Sequence, residues 1–498
     1  MKSPVGGLVI VPKNHLKGKW IITLMMALSL AVTGAFRLVL LYVVVQKASI
    51  LKLSTNYMEL TYYVSFLSRA SGSFSGGISF DYWTTPYEKQ GNLSLNAQLL
   101  FVFALIMLPI RQPAFLIMTV IVCEFFLASL NTNICSYCLF LWPGDRPQYF
   151  QGIQFFYALG IFSVAWYSHD ILFSFPRNKI SQEVSVDYIM FYSENAILAL
   201  VSILWMVLSF ILYFHKSQMD AYFYIPEFQK INYREMPLVY FSVIFILTTC
   251  LSCMISAVAF GYPMILTSLE KIAALNTTAL QDTGTLYWGI FAFARFFCTI
   301  LSLKLSSAQI IGFGIFVLLC AGALQLVHDL QSHTMICVMS GLVAFGASCI
   351  YPTTFLYLHQ YIPISAKMMA ILFIAGYLAE MTIPLWLGKM VEEDITNISH
   401  YILSLSVSYA ILFAILYYTM GIKKWEVNKN EKETVHMESI ENVERQPPKA
   451  STMPPNKSTE QSEKSAMQPD KSAAHQKHKS EDDASTEAKA LSVHFLSF

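Results

Sequence analysis

Long apolar runs, many of them twenty residues or more, alternate along this chain with short polar breaks. A helix that crosses a bilayer needs about 20 mostly apolar residues, whereas a spanning strand is shorter and strictly alternating. The pattern therefore predicts twelve spanning helices, at 18–46, 59–80, 95–110, 112–142, 149–168, 191–214, 237–266, 285–305, 308–328, 333–355, 366–390 and 399–421. The third is short, and its border with the fourth falls at Arg111-Gln112-Pro113. The longest polar interruption before the tail, His215 to Pro237, splits the set six plus six. The expected domains are an N-terminal segment 1–17, a six-helix bundle 18–214, a central loop 215–236, a second six-helix bundle 237–421 and a tail 422–498.

Composition supports that reading. Hydrophobic residues make up 55% and charged residues 13%, against about 25% charged in soluble domains. The fold class expected is an all-α, multi-pass integral membrane protein. A formal net charge of +1, with no basic patch interleaved with aromatics, gives no sign of a nucleic-acid partner. There is no P-loop, nucleophile elbow, HExxH or dinucleotide fingerprint, so neither an ATP-driven pump nor an enzyme is expected. No metal or cofactor is expected either. Nine cysteines lie in or beside apolar runs, where Cys135-Ser-Tyr-Cys138 and Cys250-Leu-Ser-Cys253 read as packing residues rather than redox or zinc pairs.

The first apolar run, Trp20 to Val45, is too long for a signal peptide and lacks a cleavage site, so it reads as a retained helix. Lysines before it, the central-loop Lys216, Lys230 and Arg234, and Lys423 and Lys424 after the twelfth span all share one side. That side should be cytoplasmic, with both termini on it. Arg111, Arg177, Lys179 and Lys271 fall opposite, so the bias is not clean. The sequons at Asn276 and Asn397 fall outside on this topology and are the expected glycosylation sites, which favours the plasma membrane. From about Val427 to Ala490 the chain is polar and has no Phe, Trp or Tyr, as in a disordered tail.

Arg69 and Arg295 sit near the middle of the second and eighth spans, one in each half. A guanidinium at that depth costs roughly 2.5–3.5 kcal/mol even on gentle insertion scales, so both must face protein or water. Two related halves with charges at matching depth are the plan of a secondary transporter. Arg37, Glu124 and Glu380 complete the set of intramembrane charges singled out.

The second span ends Gly72-Ser-Phe-Ser-Gly76-Gly77-Ile-Ser-Phe-Asp81. Glycines 72 and 76 leave room for a close helix neighbour. Gly77 and Asp81 resemble the Gly-x-x-x-Asp core of the gate motif after helix 2 in the major facilitator superfamily, although Thr84-Thr85-Pro86 stands where basic residues complete that motif. Asn131-Thr132-Asn133-Ile134-Cys135, followed by Gln151-Gly-Ile-Gln154-Phe155, is similar to helices 4 and 5 of one branch. That branch holds sodium-dependent glucose transporter-like (MFS domain-containing protein 4) sequences and, more distantly, fucose–proton symporters. Tyr287-Trp288-Gly289 with Arg295, Gly346 to Thr353, and Ala379-Glu380-Met381 to Gly388 look like its helices 8, 10 and 11. The resemblance spans roughly residues 60 to 390 and excludes the tail.

It implies two six-helix bundles around a central cavity and transport of a hexose or similar small polar solute. Asn131, Gln151 and Gln154 would bond hydroxyls, and Phe155, Trp288 and Tyr351 would stack on the ring. In this chain the family's acid is Asn131, its Asn is Cys135 and its His is Gln154. An amide takes up no proton near neutral pH, so the change shifts the expectation from symport towards facilitated diffusion. A sodium ion or a proton remains the candidate coupling ion, with Glu124 as substitute acid. Alternatively Glu124 pairs with Arg37. Arg69 approaches Glu380 as a gate, or the two pair separately, the arginine with backbone carbonyls. The working expectation is a monomeric sugar transporter in the lipid bilayer. A scaffold or receptor acting through its tail is the second reading, and a lipid or drug transporter the third.

Overall fold

The computed structural model describes residues 14–50, 55–83, 86–107, 112–142, 147–173, 207, 238–263, 277–327, 333–362, 364–393 and 397–444. Among them run eleven α-helices: α1 (Asn14–Ile50), α2 (Thr55–Tyr82), α3 (Pro86–Met107), α4 (Pro113–Leu141), α5 (Pro147–Phe173), α6 (Leu238–Ser256), α7 (Thr277–Leu301), α8 (Ser307–Val327), α9 (His333–Tyr361), α10 (Ala366–Glu393) and α11 (Asn397–Glu444). They correspond to eleven of the twelve predicted spans. The sixth span apart from Val207, the central loop and Asn276 lie outside the described residues, as does the tail beyond Glu444.

Proline sets several helix starts. Pro86, Pro113 and Pro147 open α3, α4 and α5, where a missing N–H costs nothing because first-turn N–H groups have no intrahelical partner. Gln112 before α4 is extended, as a residue preceding proline must be. α3 consequently begins nine residues before the predicted start at 95, taking in Glu88, Lys89 and Gln90. The last helix likewise runs on to Glu444, past the predicted end at 421 and into the stretch read as structureless. Its Lys and Glu residues are good helix formers, and polarity alone does not end a helix.

Among the described residues, seven helices are long and apolar enough to cross a membrane on composition alone. α2 and α10 are not among them, although both are 28 residues long. They carry Arg69 and Glu380, and both of those side chains are buried. Packing pairs α1 with α5, α2 with α4, α8 with α9 and α6 with α10. The two halves meet where α2 packs on α10 and α5 on α7.

The α2–α4 contact depends on Gly72, where an added Cβ would lie 2.1 Å from the Phe125 carbonyl oxygen. Trp142 is buried, stacked on Tyr149 at 3.9 Å and donating through Nε1 to Thr23. α6 ends in a π-helical turn, Ala257–Gly261.

Candidate functional site

The inward faces of α1, α2, α4 and α10 bring four charged side chains together. Arg69 presents its Nε and Nη2 to Glu124, donating at 2.6 Å and 2.5 Å to the two carboxylate oxygens. Arg37 donates through Nη2 to Glu380 and through Nη1 to the Tyr157 hydroxyl at 2.9 Å. Arg69 Nη1 also stands 3.8 Å from Glu380, so that carboxylate lies between two arginines. Tyr62 donates to the backbone carbonyl of Glu380 at 2.8 Å. Charges at this depth persist only when paired, and each of these four is.

This arrangement corrects the expected pairing. Glu124 bonds Arg69 rather than Arg37, because Gly72 draws α2 onto α4 and puts the two side chains within direct reach. Arg37 turns to α10. Arg69 and Glu380 do approach one another, but only as a secondary contact.

One end of the α2–α10 seam is closed by the Gly77 and Asp81 motif. A Cβ on Gly77 would lie 2.6 Å from the Ala366 carbonyl oxygen, so the helices meet backbone to backbone. Asp81 accepts from the backbone N–H groups of Ala366 and Lys367, each at 3.1 Å. It thereby caps the first turn of a helix in the other half and meets the positive end of its dipole.

The polar residues expected to bind solute divide into two places. Asn131 borders a cavity of about 10 Å³, room for one water, with Arg37, Arg69, Leu127, Tyr157 and Tyr377. Its amide donates to the Tyr377 hydroxyl at a long 3.5 Å. Gln151 and Gln154 do not line that cavity and face the second half instead. Gln151 donates to Thr353 at 2.8 Å, and Gln154 to the Cys135 sulfur at 3.0 Å. Arg295 Nη1 donates to both the backbone and side-chain oxygens of Gln154, each at 2.9 Å. Cys135 in turn reaches the Asn131 oxygen at 3.9 Å, so a thread of contacts joins the two places.

The three aromatics also separate. The Tyr351 ring lies 5.6 Å from the Arg295 guanidinium and 5.5 Å from Phe260. Trp288 packs inside the second half, against Phe260, Tyr287 and Phe291. Phe155 turns to the α5–α7 seam, where it meets the exposed Phe296. Asn397 opens α11 and donates to the Met390 carbonyl at 2.7 Å.

Three residues at the site escaped the sequence reading. Tyr157 follows Gln154 by three positions and Tyr377 precedes Glu380 by three, so helical spacing was the available signal. Phe260 had none. The π turn brings its ring to 4.6 Å from the Arg37 guanidinium, and such turns are not visible in a hydropathy pattern.

No family model matches the sequence. It is 25% identical over 370 residues to sodium-dependent glucose transporter 1 of Xenopus laevis, covering 70% of this chain and 71% of that protein. The crystal structure of FucP in the outward conformation matches with a TM-score of 0.59 at 13% identity, covering 80% of this chain and 98% of that one. The proton:xylose symporter XylE matches with a TM-score of 0.61 at 14% identity, covering 81% and 96%. The order of the helices, the α2–α10 and α5–α7 seams and these likenesses agree: the chain is an all-α membrane protein with the fold of the major facilitator superfamily.

Proposed function

We propose that this protein is a secondary transporter for a small polar solute of the sugar class, working by rocking of its two halves about a midplane site. The observation that carries the reading is the charge cluster across the seam. Arg37 and Arg69 of the first half hold Glu380 of the second, and Asp81 closes the same seam one end further along. Contacts of this kind are made or broken together when two rigid bodies pivot. Sugar as the solute class is supported by the names of the similar proteins, which refer to glucose, fucose and xylose. It is also supported by the amides on α4 and α5, which both donate to and accept from hydroxyls.

Coupling would have to engage Glu124 or Glu380, the two carboxylates at this depth among the described residues, and each already meets an arginine. The reading is therefore facilitated movement rather than symport. The lysine pattern and the two sequons support a plasma-membrane protein with both termini cytoplasmic.

The test is uptake of labelled glucose and fucose by the full-length protein in proteoliposomes, with and without sodium and proton gradients. Saturable uptake independent of any gradient is expected. Gradient-driven accumulation would restore coupling to the reading. Absence of saturable uptake for every sugar tried would overturn it in favour of a non-transporting scaffold.

A further inference from the structure

We propose that Arg295 is an anion anchor, and that the solute carried is a sugar acid held through its carboxylate. The proposal rests on the sugar-transport reading above and narrows it.

Arg295 is fully buried, yet it meets no carboxylate among the described residues. Its Nη1 donates to the two oxygens of Gln154, both neutral. Its guanidinium lies 4.7 Å from the Phe291 ring and 5.6 Å from that of Tyr351. Nε and Nη2 have no hydrogen-bond partner among the described residues. Those two atoms form the edge of a guanidinium that offers parallel donors to one carboxylate. Burying such donors without a protein partner is costly, so this edge of a buried arginine needs an explanation.

The other half of the molecule shows what that edge is for. Arg69 uses its own Nε and Nη2 to grip the two oxygens of Glu124. Arg69 lies on the second helix of the first half and Glu124 on the fourth. Arg295 lies on α7, the second helix of the second half, and the fourth helix of that half is α9. The 29 residues of α9 include no Asp or Glu. The repeat supplies the cation twice and the anion once.

Charge balance sets the valence of the missing partner. At this depth the described residues provide three arginines, Arg37, Arg69 and Arg295, and two carboxylates, Glu124 and Glu380. One positive charge is left over. A monoanionic carboxylate cancels it, whereas a doubly charged phosphate ester would leave the site negative. Gln151, on the same face of α5 as Gln154, has a side-chain oxygen without a partner among the described residues, which suits a sugar hydroxyl. Arg295 is clamped to Gln154 across the α5–α7 seam, so the solute reaches the open edge when that seam parts.

The experiment uses the full-length protein in chloride-free buffer with D-glucuronate, D-glucose, acetate and chloride. Thermal midpoints are measured in detergent and labelled uptake in proteoliposomes. Glucuronate should raise the midpoint and be taken up with a half-saturation about tenfold below that of glucose. Gln154→Glu keeps the side-chain shape and supplies an internal carboxylate. It should raise the ligand-free midpoint and weaken glucuronate about tenfold. Arg295→Lys keeps the charge, loses the planar edge, and should also bind glucuronate more weakly. Saturable glucose uptake with no response to glucuronate would overturn this proposal and leave sugar transport standing. Uptake of neither would overturn the transport reading itself. Equal protection by acetate or chloride would overturn the sugar-acid assignment.

Discussion

Arg37 on the first helix of one half donates to Glu380 on the fifth helix of the other, and this ion pair crosses the seam on which the two bundles meet. Glu380→Gln leaves Arg37 without a counter-charge, while Arg69 keeps Glu124. Removing one partner of a buried pair costs about 3 kcal/mol, so the thermal midpoint should fall well below wild type. The double variant Arg37→Gln with Glu380→Gln should be more stable than the sum of the single losses. Simple additivity in that cycle would show that the two side chains do not act on each other.

Asp81→Asn retains the size of the cap and removes its charge. The cap on α10 should lose about 1 kcal/mol, a several-fold shift toward the form in which α2 and α10 part. Spin labels at Tyr82 and Lys367, both exposed, would report it as a longer distance component. An unchanged distance distribution would mean that the cap does not hold the seam.

Gly77→Ala drives a methyl group against the Ala366 oxygen and the Ala370 Cβ, at 2.6 and 2.8 Å. The seam has to open by a few tenths of an ångström or more, so the variant should mimic Asp81→Asn in the same distance measurement. Gly91→Ala, with nothing within 4 Å, is the matched control and should behave as wild type.

Lys89 precedes the predicted third span and buries its ammonium, which donates to the Phe80 carbonyl at 2.6 Å. Burial pushes its pKa down from 10.5 to about 8, with Asp81 and Glu88 pulling partly the other way. Between those two values the unfolded chain holds a proton that the folded chain has released, so stability rises with pH across that window. Below about 8 the buried charge is a standing cost. Lys89→Met should flatten the rise of the thermal midpoint between pH 8 and 10, and an unaltered slope would assign the titration to another group.

Much of the architecture was legible because a bilayer demands long apolar helices, and the chain supplies them in two sets. The charges at depth were legible for the same reason, since Arg69, Arg295 and Glu380 interrupt long apolar runs. Their pairing was not. Hydropathy places a residue along an axis but not around a neighbouring helix, and Glu124 went to Arg69 because of the close approach at Gly72. The amides illustrate the same limit. Gln151 and Gln154 share a helix face with Tyr157, but only the packing of α5 on α7 decides that Gln154 meets Arg295 rather than Asn131. Helix ends were misjudged where polar residues continue a helix, as at the start of α3 and the end of α11.

The uneven placement of the buried charges has an electrical consequence. Among the described residues the first half carries two positive charges and one negative at mid-depth, from Arg37, Arg69 and Glu124, whereas Arg295 and Glu380 cancel in the second. Tilting one half against the other therefore displaces net charge along the field. A full elementary charge moved across the membrane is worth about 2.3 kcal/mol per 100 mV, so even a fractional displacement biases the two orientations measurably. On the rocking proposed above, membrane voltage would act on this molecule before any solute has bound.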